Sequence, residues 1–349
     1  MPVNMQSLYL LGARQRTLFF KDRDEPYLYE NALVLNLDTN TGQVTTCVEY
    51  KSPAEARASE FSSNIFKSGT LVGNKLYACT STEVMIFEVP TFRRLSYVSL
   101  PIFNDVHHVT PSQDGHLLAA STGLDLVVKF THSGEILREW SVLGEDPWAT
   151  FSRSIDYRKV DSTKPHKSHP NFVFEMDGEV WVTRFMQRDA ICLTKPENKI
   201  EIGVQSPHDG LIVDDRIYFT TVDGRIIIVN RHTRQVDEIV DLKQMNGSAT
   251  TLLGWCRGLL TADHRYVWIG FTRVRKTKFK ENILWVKNMF RDGVASKPTH
   301  IALYDIVRKE CLQEFNLEDH GMNIIFSIFP VRGVPAELPT AAVADTVAT

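Results

Sequence analysis

Four stretches of this chain, 104–130, 169–193, 206–230 and 256–271, repeat one pattern. Each opens near a polar candidate: His107, His169, His208 and then Arg257. Each then runs apolar to a tight turn, at Asp114-Gly115, Asp177-Gly178, Asp214-Asp215 and Asp263-His264. An alternating strand follows in every case: HLLAAST, EVWVTRF, RIYFTTV and YVWIGFT. In the first three a second short strand comes at once, LDLVVKF, DAICLT and GRIIIVN. Short strands repeated around a polar residue at fixed phase are how propeller blades look in sequence. On that reading three imidazoles and a guanidinium start the innermost strands and converge on one axis.

The rest of the chain fits the same count. Residues 6–50 give three strands, SLYLLGA, NALVLNL and QVTTCVEY, one short of a blade. Residues 64–100 give a complete four-strand blade with no histidine at its start; Asn64 and Lys67 are its polar candidates. Blades follow at 104–143, 169–203, 206–243 and 256–317, and the apolar run MNIIFSIFP at 322–330 supplies the strand missing from the first. The expected architecture is all-β: a six-bladed β-propeller closed by pairing the C-terminal strand with the N-terminal strands. Closure leaves no long unpaired sheet edge. The domain expectation is one propeller over 1–333. Residues 144–168, too long for a blade connection and carrying Trp148, Phe151 and Tyr157, read as a lid. A basic insert at 273–298 contains a helical stretch near 281–290, and 334–349 reads as a disordered tail.

Composition narrows the function. A formal net charge of −3 gives no global basic field for nucleic acid. Apolar runs are strand-sized, so no membrane span is expected. The N-terminus lacks a basic region ahead of a long apolar core, and five cysteines without CxxC spacing read as reduced thiols. These features point to a cytoplasmic location. No nucleophile elbow, P-loop, dinucleotide fingerprint or HExxH occurs. The oligomeric state is not legible.

His107, His169 and His208, at one repeat phase, carry the chemistry. Three neutral imidazoles from separate strands can hold zinc, iron or copper and leave positions open for substrate. They can also act without metal as acid–base groups, or simply bond backbone at a crowded axis. His108 competes with His107 for the channel, since neighbouring strand residues face opposite ways. His166, in the long insert, competes with His169. Asn171, Asp209 and His108 are candidates for orienting the imidazoles. Arg257 can hold a carboxylate or phosphate in bidentate fashion, and Arg184 and Arg273, at the ends of second strands, would make the same mouth positive. The functional expectation is a metal-dependent enzyme acting on a small, anionic organic molecule at the channel. The alternative is a non-catalytic propeller that binds a protein or ligand on one face.

The motif order Asp105-Val106-His107, Thr122-Gly123, His169-Pro170-Asn171, Ser206-Pro207-His208, Arg257-Gly258-Leu259 and Gly270-Phe271-Thr272-Arg273 resembles an uncharacterised bacterial six-bladed propeller family. That family is a domain of unknown function, sometimes found with tetratricopeptide repeats. The closing NIIFSIFPVRG is similar to its terminal segment. The resemblance runs from about residue 60 to 333 and implies the fold and a ring of histidines, with no established reaction. It also implies an acidic pair before the last strand, where this chain has Met322-Asn323-Ile324, with Glu318 and Asp319 nearby.

Overall fold

Six four-stranded antiparallel sheets follow one another in the computed structural model, which describes residues 6–17, 27–245, 252–274 and 296–331. Blade 2 is built from Thr70–Val72, Lys75–Cys79, Val84–Glu88 and Arg93–Val98, and blade 3 from Val106–Pro111, Leu117–Ser121, Leu126–Phe130 and Ile136–Ser141. Blade 4 comprises Pro170–Met176, Glu179–Arg184, Asp189–Cys192 and Lys199–Glu201. Blade 5 comprises Pro207–Val213, Arg216–Thr221, Arg225–Asn230 and Val236–Asp241. Blade 6 comprises Trp255–Thr261, Tyr266–Thr272, His300–Asp305 and Glu310–Asn316.

Blade 1 takes strands from both ends of the chain, in the order Ile324–Pro330, Ser7–Gln15, Tyr29–Asp38, Val44–Tyr50. The C-terminal strand pairs antiparallel with the N-terminal one, from Leu8 opposite Pro330 to Ala13 opposite Ile324. The expected six-bladed, closed propeller is therefore the observed fold. The middle strands bury both faces because blades stack face to face, whereas outer strands such as Ile136–Ser141 are largely exposed. Each of the six blade interfaces holds its own apolar cluster; Leu8, Leu35, Trp268 and Ile325, for example, fill the one between blades 6 and 1.

One interface has a polar centre. Glu83, fully buried, accepts hydrogen bonds from the Tyr50 hydroxyl at 2.6 Å, Tyr97 at 3.0 Å, Thr80 at 2.7 Å and Ser52. Burial first, then the Glu83 charge, pushes both phenol pKa values well above the ordinary tyrosine value. Replacing Glu83 by Leu leaves two buried hydroxyls, of Ser52 and Thr80, and two half-buried ones, of Tyr50 and Tyr97, without their acceptor. We expect Glu83→Leu to destabilise by about 3–5 kcal/mol and Glu83→Gln by about half that, measured by urea unfolding. Equal stability of wild type and Glu83→Leu would show that the network contributes nothing net.

The 144–168 insert is tied down. It forms two short 3-10 turns, Pro147–Ala149 and Tyr157–Lys159. The Tyr157 amide donates to Pro101 O at 2.7 Å, and the Asn104 amide group donates to Tyr157 O and Val160 O. Most of the basic insert, including the expected helix at 281–290, and the 334–349 tail lie outside the described residues. Among the described residues no helix is long and apolar enough to cross a membrane.

Candidate functional site

Five of the six inner strands share a defect at their starts; Thr70–Val72 of blade 2 pairs in regular register. Pairing register shifts between Val106 and His108, Pro170 and Val173, Pro207 and Gly210, and Arg257 and Leu259. The closing strand shifts likewise opposite Leu11 and Gly12, leaving Phe326 as the extra residue. A bulge inserts an unpaired residue and re-aims its side chain. His107, His208 and Phe326 sit at these bulges, and Gly258 occupies the one in blade 6. Gly258 has φ 73°, and a Cβ there would lie 3.0 Å from Phe326 O, so the position demands glycine.

The register corrects the repeat phase. Pro170 pairs with Arg184 as Pro207 pairs with Thr221, so Asn171, not His169, is the counterpart of His208. His169 corresponds instead to Asp105, which also immediately precedes the first paired residue of its blade. Both adopt left-handed backbone, φ 59° and 52°, a conformation that side-chain-bearing residues hold only when their surroundings enforce it.

These residues face a cavity of about 220 Å³ at one mouth of the channel. His107, His169, His208, His166, Asp105, Lys67, Arg257, Arg273 and Phe326 line it. The His107 ring centroid lies 4.8 Å from that of His169 and 5.8 Å from that of His208. His107 Nδ1–H donates to Asp105 O at 2.8 Å, which leaves Nε2 as the lone-pair nitrogen. His208 Nδ1–H donates to Asp209 Oδ2 at 3.0 Å, and its buried Nε2 has no hydrogen-bond partner. Asp209 is itself held by Ser68 Oγ and by the Gly258 amide at 2.8 Å. His166 and His169 face each other with Nδ1 atoms 2.8 Å apart, so one donates to the other.

Charge in the cavity is arranged unevenly. Burial, then Lys67, holds the His107 pKa well below the ordinary imidazole value. Burial, then His107 and His166, does the same for His169. For His208 burial outweighs the opposing pull of Asp209, and His166 is lowered by burial as well. All four imidazoles are therefore neutral at neutral pH. Burial alone would raise the Asp105 carboxyl, but its ion pair with Lys67 overrides this and keeps it well below the usual range. Asp105, His166 and His169 bring one ligand atom each within 4.8 Å of one another.

The other expected residues are placed as follows. Arg184, expected at the mouth, turns away: its register partner Asp189 takes it in a two-pronged ion pair at 2.6 and 2.8 Å. Arg273 lines the cavity but is paired with Glu318 at 2.6 Å. The Arg257 guanidinium lies over the Phe326 ring, 4.4 Å from its centroid. Asn171 does not orient His169; its amide donates to Pro207 O at 3.2 Å. His108 faces a second cavity of about 880 Å³ at the opposite mouth, where it donates to Gly69 O at 3.2 Å. Asp209 orients His208 directly.

Sequence reasoning left out Asp105, Lys67 and Phe326 as site residues and set His166 aside as part of the insert. The signals were present: Asp105 two residues before His107, and His166 three before His169. Lys67 had been singled out only as a polar candidate, since nothing local shows that a residue of blade 2 meets one of blade 3.

No family model matches the chain, and no curated protein matches it. Among solved structures, a protein of unknown function from Bacteroides caccae is similar over 94% of this chain and 99% of that one, with a TM-score of 0.57 and 13% identity. A chain of a nidogen/laminin complex is similar over 92% of this chain and 97% of that one, with a TM-score of 0.53 and 7% identity. At these identities the likeness is one of fold.

Proposed function

We propose that the cavity is a divalent transition-metal site at which a small anionic organic molecule is bound and acted on. The observation that carries the reading is the convergence of His107, His166, His169 and His208, all neutral, beside the ionised Asp105. Neutral imidazole and carboxylate are the donor forms that zinc, iron or copper takes. The lining favours an anion: Arg57, Lys67, Arg158, Lys164, Arg257 and Arg273 outnumber Asp105 and Asp161, and an excess of cations remains after Arg158 and Arg273 are paired with Asp156 and Glu318 behind the wall. Arg257 fixes the anionic group, with Arg273 at the rim. The 144–168 insert contributes Arg158, Val160, Asp161, Ser162, Lys164 and His166 to the wall and serves as the lid. A bound metal supplies Lewis acidity or an activated water; the arginine orients the substrate.

Elemental analysis of untagged protein, followed by titration of the metal-loaded protein with small carboxylates, tests this. We expect about one equivalent of metal per chain and carboxylate binding that Arg257→Lys weakens roughly tenfold without lowering the melting temperature. Lysine keeps the charge but loses the planar fork. Protein that stays metal-free at saturating metal defeats the reading. A purely structural Arg257 would instead show equal carboxylate affinity and a lower melting temperature.

A further inference from the structure

The four imidazoles do not stand equally towards a metal, and their differences assign roles. We propose, resting on the metal reading above, that the ion is held by Asp105, His166 and His169 in a six-coordinate shell. His208 then stands outside that shell as the group that accepts a hydrogen bond from the bound molecule.

Three observations carry the partition. First, Asp105 and His169 are counterparts in adjacent blades, each forced into left-handed backbone just before its strand begins. That shared strain aims both side chains at one place. Second, the loop carrying the histidine pair is fixed before any ion arrives. The Asp125 carboxylate accepts the backbone amides of Lys167, Ser168 and His169 at 2.9, 3.2 and 2.8 Å. Third, the His208 ring is committed differently: Asp209 fixes its tautomer and leaves Nε2 as a buried acceptor without a partner.

The 2.8 Å between His166 Nδ1 and His169 Nδ1 is the length of the hydrogen bond between them, so an entering ion takes both Nδ1 lone pairs once the donating ring carries its proton on Nε2 instead. Two histidines and one carboxylate on one side of a six-coordinate ion leave positions open for water and ligand, a donor set suited to Fe²⁺, Mn²⁺ or Co²⁺. Lys67 engages Asp105 Oδ1, so Oδ2 is the oxygen offered to the ion, drawn towards the imidazole pair to close the shell. An ion beside Lys67 leaves the site net positive, consistent with an anionic ligand.

Co²⁺ binding to metal-stripped, full-length protein tests the assignment, read by calorimetry and by the visible spectrum. We expect the weak absorption of six-coordinate Co²⁺ in wild type. His166→Gln should weaken Co²⁺ binding by roughly tenfold or more, and His208→Gln should leave affinity within about threefold. Asp105→Asn should match His166→Gln; because it also strips Lys67 of its partner, His166→Gln, which lies outside every blade strand and breaks no ion pair, carries the test if Asp105→Asn fails to fold. An intense tetrahedral spectrum, or His208→Gln losing as much affinity as His166→Gln, overturns this ligand assignment while the metal reading stands. Wild type that takes up no Co²⁺ overturns both.

Discussion

A chain ending at residue 320 is expected to be insoluble or unfolded, because it cannot complete blade 1. The strand Ile324–Pro330 buries Ile324, Ile325, Phe326 and Ile328 almost completely. Each such side chain contributes about 1.5–3 kcal/mol on burial, so their joint loss rivals the whole stability of an ordinary domain, about 5–15 kcal/mol. The N-terminal strand would also be left as an open apolar edge. A point variant isolates closure from chain length. At Gly12 a Cβ would fall 1.9 Å from Ile324 O, so Gly12→Ala must push the closing strand off its partner. We expect Gly12→Ala to lower stability by several kcal/mol, while an exposed change such as Val307→Ala costs less than about 0.5 kcal/mol. A native circular dichroism spectrum and cooperative melt from the chain ending at residue 320 would refute the closure argument.

The metal-free protein is expected to lose stability as pH falls from about 6.5 to about 4, a decline that begins above the carboxylate range. His108 is the clearest contributor: burial pushes its pKa from 6.5 down to about 4. Above pH 6.5 the imidazole is neutral in both states and its contribution to stability is complete. Between these values only the unfolded chain takes up the proton, so stability declines until the folded imidazole protonates as well. That interval corresponds to about 3 kcal/mol. Asp209, held at about 2 chiefly by His208 against the opposing effect of burial, adds a further loss below pH 4. Urea unfolding at about pH 7 and about pH 4.5 measures the decline, and His108→Gln should make it shallower while the other buried imidazoles keep part of it. A midpoint independent of pH across this range would sink the claim that the imidazole is buried and neutral.

The blades were legible because each strand carries its own record: alternation, a turn, and the next strand within about ten residues. Even the closing strand could be placed, since Ile324–Pro330 was the one apolar run without a partner and the N-terminal sheet was one strand short. The site was legible only in outline. Counting residues from each turn placed His107, His169 and His208 together but could not see the pairing register or its bulges; that register moves His169 two residues out of phase with His107 and makes Asp105 its counterpart. A bulge depends on pairing across strands, not on any residue's own propensity. Arg184 went wrong for a similar reason: its partner Asp189 lies across the hairpin in the next strand, and that ion pair holds the guanidinium away from the mouth. His108 turns to the opposite mouth, as strand alternation next to His107 requires, so it cannot orient the imidazoles.

The position of a bound metal separates a metal centre from a ring of histidines that only fills the channel. A crystal soaked in Co²⁺ and measured at the cobalt absorption edge reports this without reference to any reaction. One strong anomalous peak is expected at the mouth lined by His107, within about 2.1 Å of the side chains of Asp105, His166 and His169, with His208 Nε2 free to meet the ligand. No peak in that cavity at saturating Co²⁺, or peaks only on exposed histidines such as His232, would contradict it.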